Sequence, residues 1–70
     1  MKGLAFSSMR VGKKYRLINY GEKTDFVLKE VSVNNEYKVQ DLHSMEEFFM
    51  SELTKYGKGE DFELREIYHI

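Results

Sequence analysis

The residues able to do chemistry fall in five places. Asp41, His43 and Ser44 stand within four positions and supply the side-chain types of an acyl-transfer triad. A working triad holds the imidazole between carboxylate and hydroxyl, usually from distant segments. Ser44 has a simpler role as a helix N-cap with His43 before it, so catalysis is not expected there. Gly57-Lys58-Gly59 has the start of a phosphate loop. It lacks a third glycine or a following Gly-Lys-Ser/Thr, and it comes after an expected helix, whereas phosphates sit at helix N-termini. His43 and His69, with Asp41 or Glu66, match no metal-ligand spacing, and the chain has no cysteine to supply a thiolate. Glu46, Glu47, Glu52, Glu60, Asp61, Glu63 and Glu66 do not fall at the spacing of a calcium loop and read as a solvated face. No catalytic residue, cofactor or metal ligand is assigned.

The fifth place is Arg10, Lys13, Lys14 and Arg16, interleaved with Tyr15 and followed by Tyr20. Small barrels bind single strands by stacking bases on aromatics beside a basic groove. Arg10, Lys13, Lys14, Arg16 and Tyr20 are therefore the candidate binding surface. The same charges on an edge strand would discourage sheet-to-sheet aggregation, with Tyr15 in the core. Residues 1–23 carry six basic residues against one acidic, and residues 24–70 five against eleven. Pairing between a basic strand and acidic neighbours in one sheet accounts for this split without a partner. A sequence pI near 6.1 also lies far below the ~9 usual for nucleic-acid-binding domains. Nucleic acid is thus the lesser expectation.

Length and composition set the frame. Seventy residues make one domain with a thin core. The absence of cysteine excludes a disulfide framework. Ten aromatics, five Phe and five Tyr, are enough to nucleate a core. No apolar run approaches the roughly 18 residues of a membrane helix, and the short apolar stretch Gly3 to Phe6 is no secretory signal. A cytoplasmic location is expected. Residues 1–9 show no periodicity and read as a disordered terminus, with a single domain over 10–70; Met9 is an alternative start to Met1.

The elements follow from periodicity. Lys13 to Tyr20 reads as a strand with Tyr15 and Leu17 on one face. Gly21-Glu22-Lys23 reads as a turn. Thr24 to Val33 reads as a second strand in which Phe26 and Leu28 share one parity and Val31 and Val33 the other. That phase shift calls for a β-bulge near Lys29 and Glu30. Asn34-Asn35 marks a hairpin, and Glu36 to Leu42 a third strand with Tyr37 and Val39 facing in. Ser44 with Glu47 forms a capping box. Met45, Phe48, Phe49, Leu53 and Tyr56 then follow helical spacing, which predicts a helix over 45–56 with Phe49 as its core anchor and Gly57 ending it. Asp61 to Ile70 closes the chain as a strand with Phe62 and Leu64 on one face.

The predicted fold is mainly β with one helix, in the order β-β-β-α-β. A strongly bent antiparallel sheet with the helix plugging one end resembles SH3-like small barrels in its element order, over roughly 11–67. The alternative is an open four-stranded antiparallel sheet with the helix packed on a face. Such a superfold does not fix function. The expected function is a small non-catalytic protein-interaction or regulatory module with an unknown protein partner; the alternative is a nucleic-acid-binding barrel using the basic first strand. An enzyme is not expected, because so short a chain seldom builds both a core and a preorganised pocket. If Val31 and Val33 stay outside the core, a homodimer would cover them; the bulge allows a monomer.

Overall fold

Alternation of apolar and polar residues builds the sheet. A computed structural model of the protein, describing residues 2–68, contains β1 (Lys2–Gly3), β2 (Lys14–Asn19), β3 (Glu22–Val31), β4 (Tyr37–Asp41), β5 (Glu47–Phe49) and β6 (Glu63–Glu66). Five strands are antiparallel in the order β6-β2-β3-β4-β5, and β1 adds to β6 in parallel. The outer strands β1 and β5 do not pair, so the sheet is open and the expected SH3-like barrel is not formed. Closure needs edge strands that can be staggered against each other. Here they have two and three residues.

Register and parity follow the sequence closely. Tyr15 lies opposite Phe26 and Leu17 opposite both Thr24 and Leu64. Tyr15, Leu17, Phe26, Leu28, Val39 and Leu64 are buried on one face, and Met9, Met50 and Phe62 close over them. The register shifts between Leu28 and Glu30, the bulge expected there. It returns Val31 to the inward parity opposite Tyr37, but beyond the end of β2, and Val31 and Val33 remain exposed. The β2–β3 connection is the pair Tyr20-Gly21, with φ of +52° and +78°. Such a two-residue turn matches the twist of the strands and favours glycine at its second position. Glu22 and Lys23, read as turn residues, already belong to β3. Asn35 takes φ +61° in the β3–β4 hairpin.

Two expectations differ. Residues 1–9 carry no periodicity, yet the Leu4 N–H donates to the Leu64 carbonyl at 2.7 Å, Phe6 packs on Tyr37 and Phe62, and Met9 is buried. Met1 lies outside the described residues. The larger difference is the helix, and with it both predicted helix packings. Among the described residues there is no α-helix, only short 3-10 turns at Phe6–Ser8 and Met50–Glu52. Asp41 Oδ1 accepts the N–H groups of His43 and Ser44, Ser44 Oγ accepts only the Glu46 N–H, and Met45 has φ +65°. A left-handed residue at the first predicted helical position stops the helix, and Phe48 pairs with Val39 instead. Propensity is a weak prior, and an isolated helix of this length is marginal. The strand turns Phe48 inward and Phe49 outward, so Phe49 is 42% exposed. Tyr56 is exposed too, and Gly57 keeps its positive φ as part of a turn. No helix among the described residues is long and apolar enough to cross a membrane.

The return from β5 to β6 is held by Asn19. It continues the inward parity of Tyr15 and Leu17 and is 7% exposed. Its Nδ2 donates to the carbonyls of Leu53 and Gly57 at 3.3 and 3.0 Å, and its Oδ1 accepts the Gly59 N–H at 2.7 Å. Beside it, Asp61 accepts the N–H groups of Tyr20 and Gly21 at 2.9 and 2.7 Å, and the Tyr20 hydroxyl donates to the Tyr56 carbonyl at 3.0 Å. The Tyr20 ring lies so close over Gly59 that a Cβ there would meet it at 3.0 Å.

Two expected outcomes follow. Asn19→Ala removes three hydrogen bonds from a buried amide to partly exposed backbone groups and should cost about 1–3 kcal/mol in urea unfolding. Leu64→Ala should cost about 2–5 kcal/mol, and Phe49→Ala clearly less, because Phe49 is exposed. Equal costs for Leu64→Ala and Phe49→Ala would restore the helix with Phe49 as its anchor.

Candidate functional site

The candidate surface Arg10, Lys13, Lys14, Arg16 and Tyr20 does not form one patch. Lys14 and Arg16 share the outer face of β2, opposite the core, with Arg65 of β6 beside Arg16. Lys13 and Arg10 lie in the loop before β2, where the Arg10 N–H donates to the buried Tyr15 hydroxyl at 2.7 Å. Tyr20 lies at the far end of β2, about 20 Å of strand from Lys14, with its hydroxyl bound to the return loop. The aromatic that was to stack beside the charges is thus apart from them.

Arg16 is committed within the sheet. It sits opposite Asp25, and its Nε and Nη2 reach the two carboxylate oxygens at 2.7 and 3.1 Å. Asp25, 4% exposed, also receives His43 Nε2 at 3.4 Å on Oδ2. A two-pronged contact of this kind is strong and orienting. The Arg16 guanidinium holds the Asp25 carboxyl below the usual range, and Asp25 in turn raises Arg16. The basic strand thus finds part of its acidic complement inside the fold, through Arg16; the pairs Arg65–Glu63 within β6 and Lys38–Glu47 between β4 and β5 lie outside that strand.

Asp41, His43 and Ser44 are neighbours without being a catalytic array. Asp41 caps the turn through backbone N–H groups, the His43 ring turns to Asp25, and Ser44 Oγ bonds Glu46. Gly57-Lys58-Gly59 belongs to the return loop, with Lys58 Nζ 4.8 Å from the centre of the Phe62 ring. His69 lies outside the described residues. Among those described, no group of three His, Cys, Asp or Glu side chains could hold a metal ion.

The feature with open valence is β5. The Asp41 N–H donates to the Glu46 carbonyl at 2.9 Å. Antiparallel pairs alternate between bonded and non-bonded, so Val39 and Phe48 exchange bonds. Gln40–Glu47 and Lys38–Phe49 are then non-bonded pairs, and the N–H and C=O groups of Glu47 and Phe49 point away from β4. No strand lies on that side. Against the end of β5 lies a hollow of about 180 Å³, lined by Phe6, Tyr37, Phe49, Met50, Ser51 and Thr54 among others. Residues 46–52 carry three acidic side chains, Glu46, Glu47 and Glu52, and no basic one.

Sequence reasoning missed Asn19, Asp25 and this edge. Asn19 could have been found, since parity alone places it on the core face, where a buried amide needs partners. Asp25 opposite Arg16 needed the register, and the edge was hidden by the predicted helix.

The carboxylates give an acid limb. Asp41 is held below the usual range by the Ser44 and His43 N–H groups, and Asp61 by those of Gly21 and Tyr20. With Asp25 also depressed, all three bind protons more weakly folded than unfolded. Their stabilisation is present above the unfolded value of about 3.9 and is lost as pH falls through the folded values. The urea midpoint should stay level from about pH 8 to 5 and fall below that. Asp61→Asn should make the acid limb shallower; an unchanged limb would show that its charge contributes nothing. The chain matches no family model, no curated protein and no solved structure.

Proposed function

We propose that the protein is a non-catalytic interaction module that binds a protein partner along the edge of β5. The observation that supports this is the unpaired row of backbone groups on Glu47 and Phe49, beside the exposed Phe49 ring and the apolar hollow. Addition of a strand to a sheet edge draws affinity from the main chain and selectivity from pockets for alternate side chains. Proteins guard such edges by shortness and charge, and both are present in a three-residue strand bearing Glu47. A guarded edge admits a matching segment more readily than an arbitrary one.

Nucleic-acid binding has less support. Lys13 and Lys14 have no carboxylate within ion-pair distance among the described residues. Arg16 is neutralised by Asp25, and Tyr20 is remote from the charges.

The test is capture of partners from native cell extract by the full chain and by a Glu47→Pro variant. Proline removes an outward N–H without breaking the β4 ladder. Capture should survive nuclease and moderate salt and be lost with Glu47→Pro. Capture that disappears with nuclease, or is indifferent to Glu47→Pro, overturns the reading.

A further inference from the structure

The outward groups of β5 are two residues, about 7 Å, apart. That is the repeat at which an antiparallel neighbour exchanges paired N–H···O bonds. The side chains of an added strand alternate between the two faces of the sheet. On the inner face they would meet Phe48, and against the end of β5 the hollow of about 180 Å³, whose lining includes Phe6, Tyr37 and Met50 and also Glu36. On the outer face they would meet Glu47 and a second hollow of about 130 Å³, lined by Glu30, Ser32, Glu36, Lys38 and Phe49. Glu47 is shared with Lys38 at 3.3 Å, and Glu52 with Lys55 at 3.7 Å. Glu30, Glu36 and Glu46 have no cation within 4.0 Å among the described residues. The edge therefore presents one apolar face and a surplus of carboxylates.

We infer that the occupant of this edge is an extended segment of a partner protein in which basic residues alternate with apolar ones, the apolar residues facing Phe48 and the apolar side chains of Phe6, Tyr37 and Met50, and the basic ones facing Glu47 and Glu36. The inference rests on the reading of β5 as the contact edge and adds the chemistry of what binds there. The same charge argues against two other occupants. A second copy paired antiparallel through β5 about a two-fold axis would bring the carboxylates of Glu46, Glu47 and Glu52 of one copy towards those of the other, and like charges across an interface are costly. A phosphate backbone would meet the same repulsion.

The probe is a synthetic peptide, Lys-Val-Lys-Phe-Lys-Val-Lys with blocked ends, titrated against the full chain by fluorescence anisotropy and followed by amide exchange. Binding should slow exchange at the amides of Glu47 and Phe49. The same peptide with Glu for each Lys should bind at least about tenfold more weakly, since like charges replace attraction. A version N-methylated at alternate residues, in both phases, should lose binding in the phase that blocks the amides facing β5. Glu47→Gln should weaken binding about two- to fivefold, as for an exposed ion pair, and Glu47→Pro should abolish it. Should Glu47→Pro fail to fold, the N-methylated peptides test the same backbone contact. Equal binding of the Glu peptide, indifference to N-methylation in both phases, or protection confined to other strands overturns the inference. So does a doubled sedimentation mass with the β5 amides protected in the absence of peptide, which would make a second copy the occupant. If the Lys peptide fails while capture from extract still depends on Glu47→Pro, the charge class is wrong and the contact edge stands. If capture is also indifferent, both fall.

Discussion

The amide of Asn19 is the constraint on which the closing of the sheet depends. The last strand, β6, must lie against β2, yet the chain leaves β5 at the opposite edge. Between Phe49 and Glu63 it has no α-helix and no strand to guide it. Asn19 fixes that crossing at Leu53, Gly57 and Gly59, and Asp61 fixes its end on the Tyr20-Gly21 turn. The amide orientation is settled by chemistry, since Nδ2 faces two carbonyls and Oδ1 faces an N–H. A buried side chain that satisfies three backbone groups costs little to bury and much to remove. It also leaves few alternatives for the loop, because each carbonyl it holds would otherwise need water.

The same economy governs the charges. The uneven distribution along the chain, basic early and acidic late, is matched in part across the sheet once register is set. Arg16 meets Asp25 across β2 and β3 and Lys38 meets Glu47 across β4 and β5, while Arg65 and Glu63 pair within β6. The exposed pairs add little stability and the partly buried Arg16–Asp25 pair more, chiefly by orientation. Among the charges left without an ion pair are a basic end around Arg10, Lys13 and Lys14 and the carboxylates of Glu30, Glu36 and Glu46 near β5.

Much of the sheet was legible in the sequence, because period-two alternation is a direct image of a half-buried strand. Tyr15 and Leu17, Phe26 and Leu28, and Phe62 and Leu64 share faces as expected. The bulge was legible from the conflict between Phe26 and Val31 parity. The segment 45–56 was not legible. Its apolar residues fit a helical stripe, but Phe48 and Met50 also fit a strand running into a turn, and both are drawn to the core. Local capping favoured the helix; the unpaired edge of β4 and the Asp41 turn favoured the strand. Tertiary pairing decided. The candidate site was lost with it, since a helix satisfies its own backbone and has no edge.

Consistency between local preference and global fold is the rule for sequences that fold to one state, and departures concentrate where function or strain intervenes. Here the clearest departure is this segment, a capping box and an amphipathic pattern held instead as a three-residue strand with a left-handed Met45. A longer edge strand would have covered Phe49 and tied down more backbone. A helix would have left β4 as the edge, with Phe48 and Phe49 on its buried stripe. The observed compromise pairs β4 and buries Phe48, while Phe49 and two sets of backbone groups are left facing solvent. A strand laid on β5 would pair those backbone groups and cover Phe49, which is the physical reason to place the proposed contact here rather than on the basic end, where exposed Val11 stands beside the charges without an open strand edge.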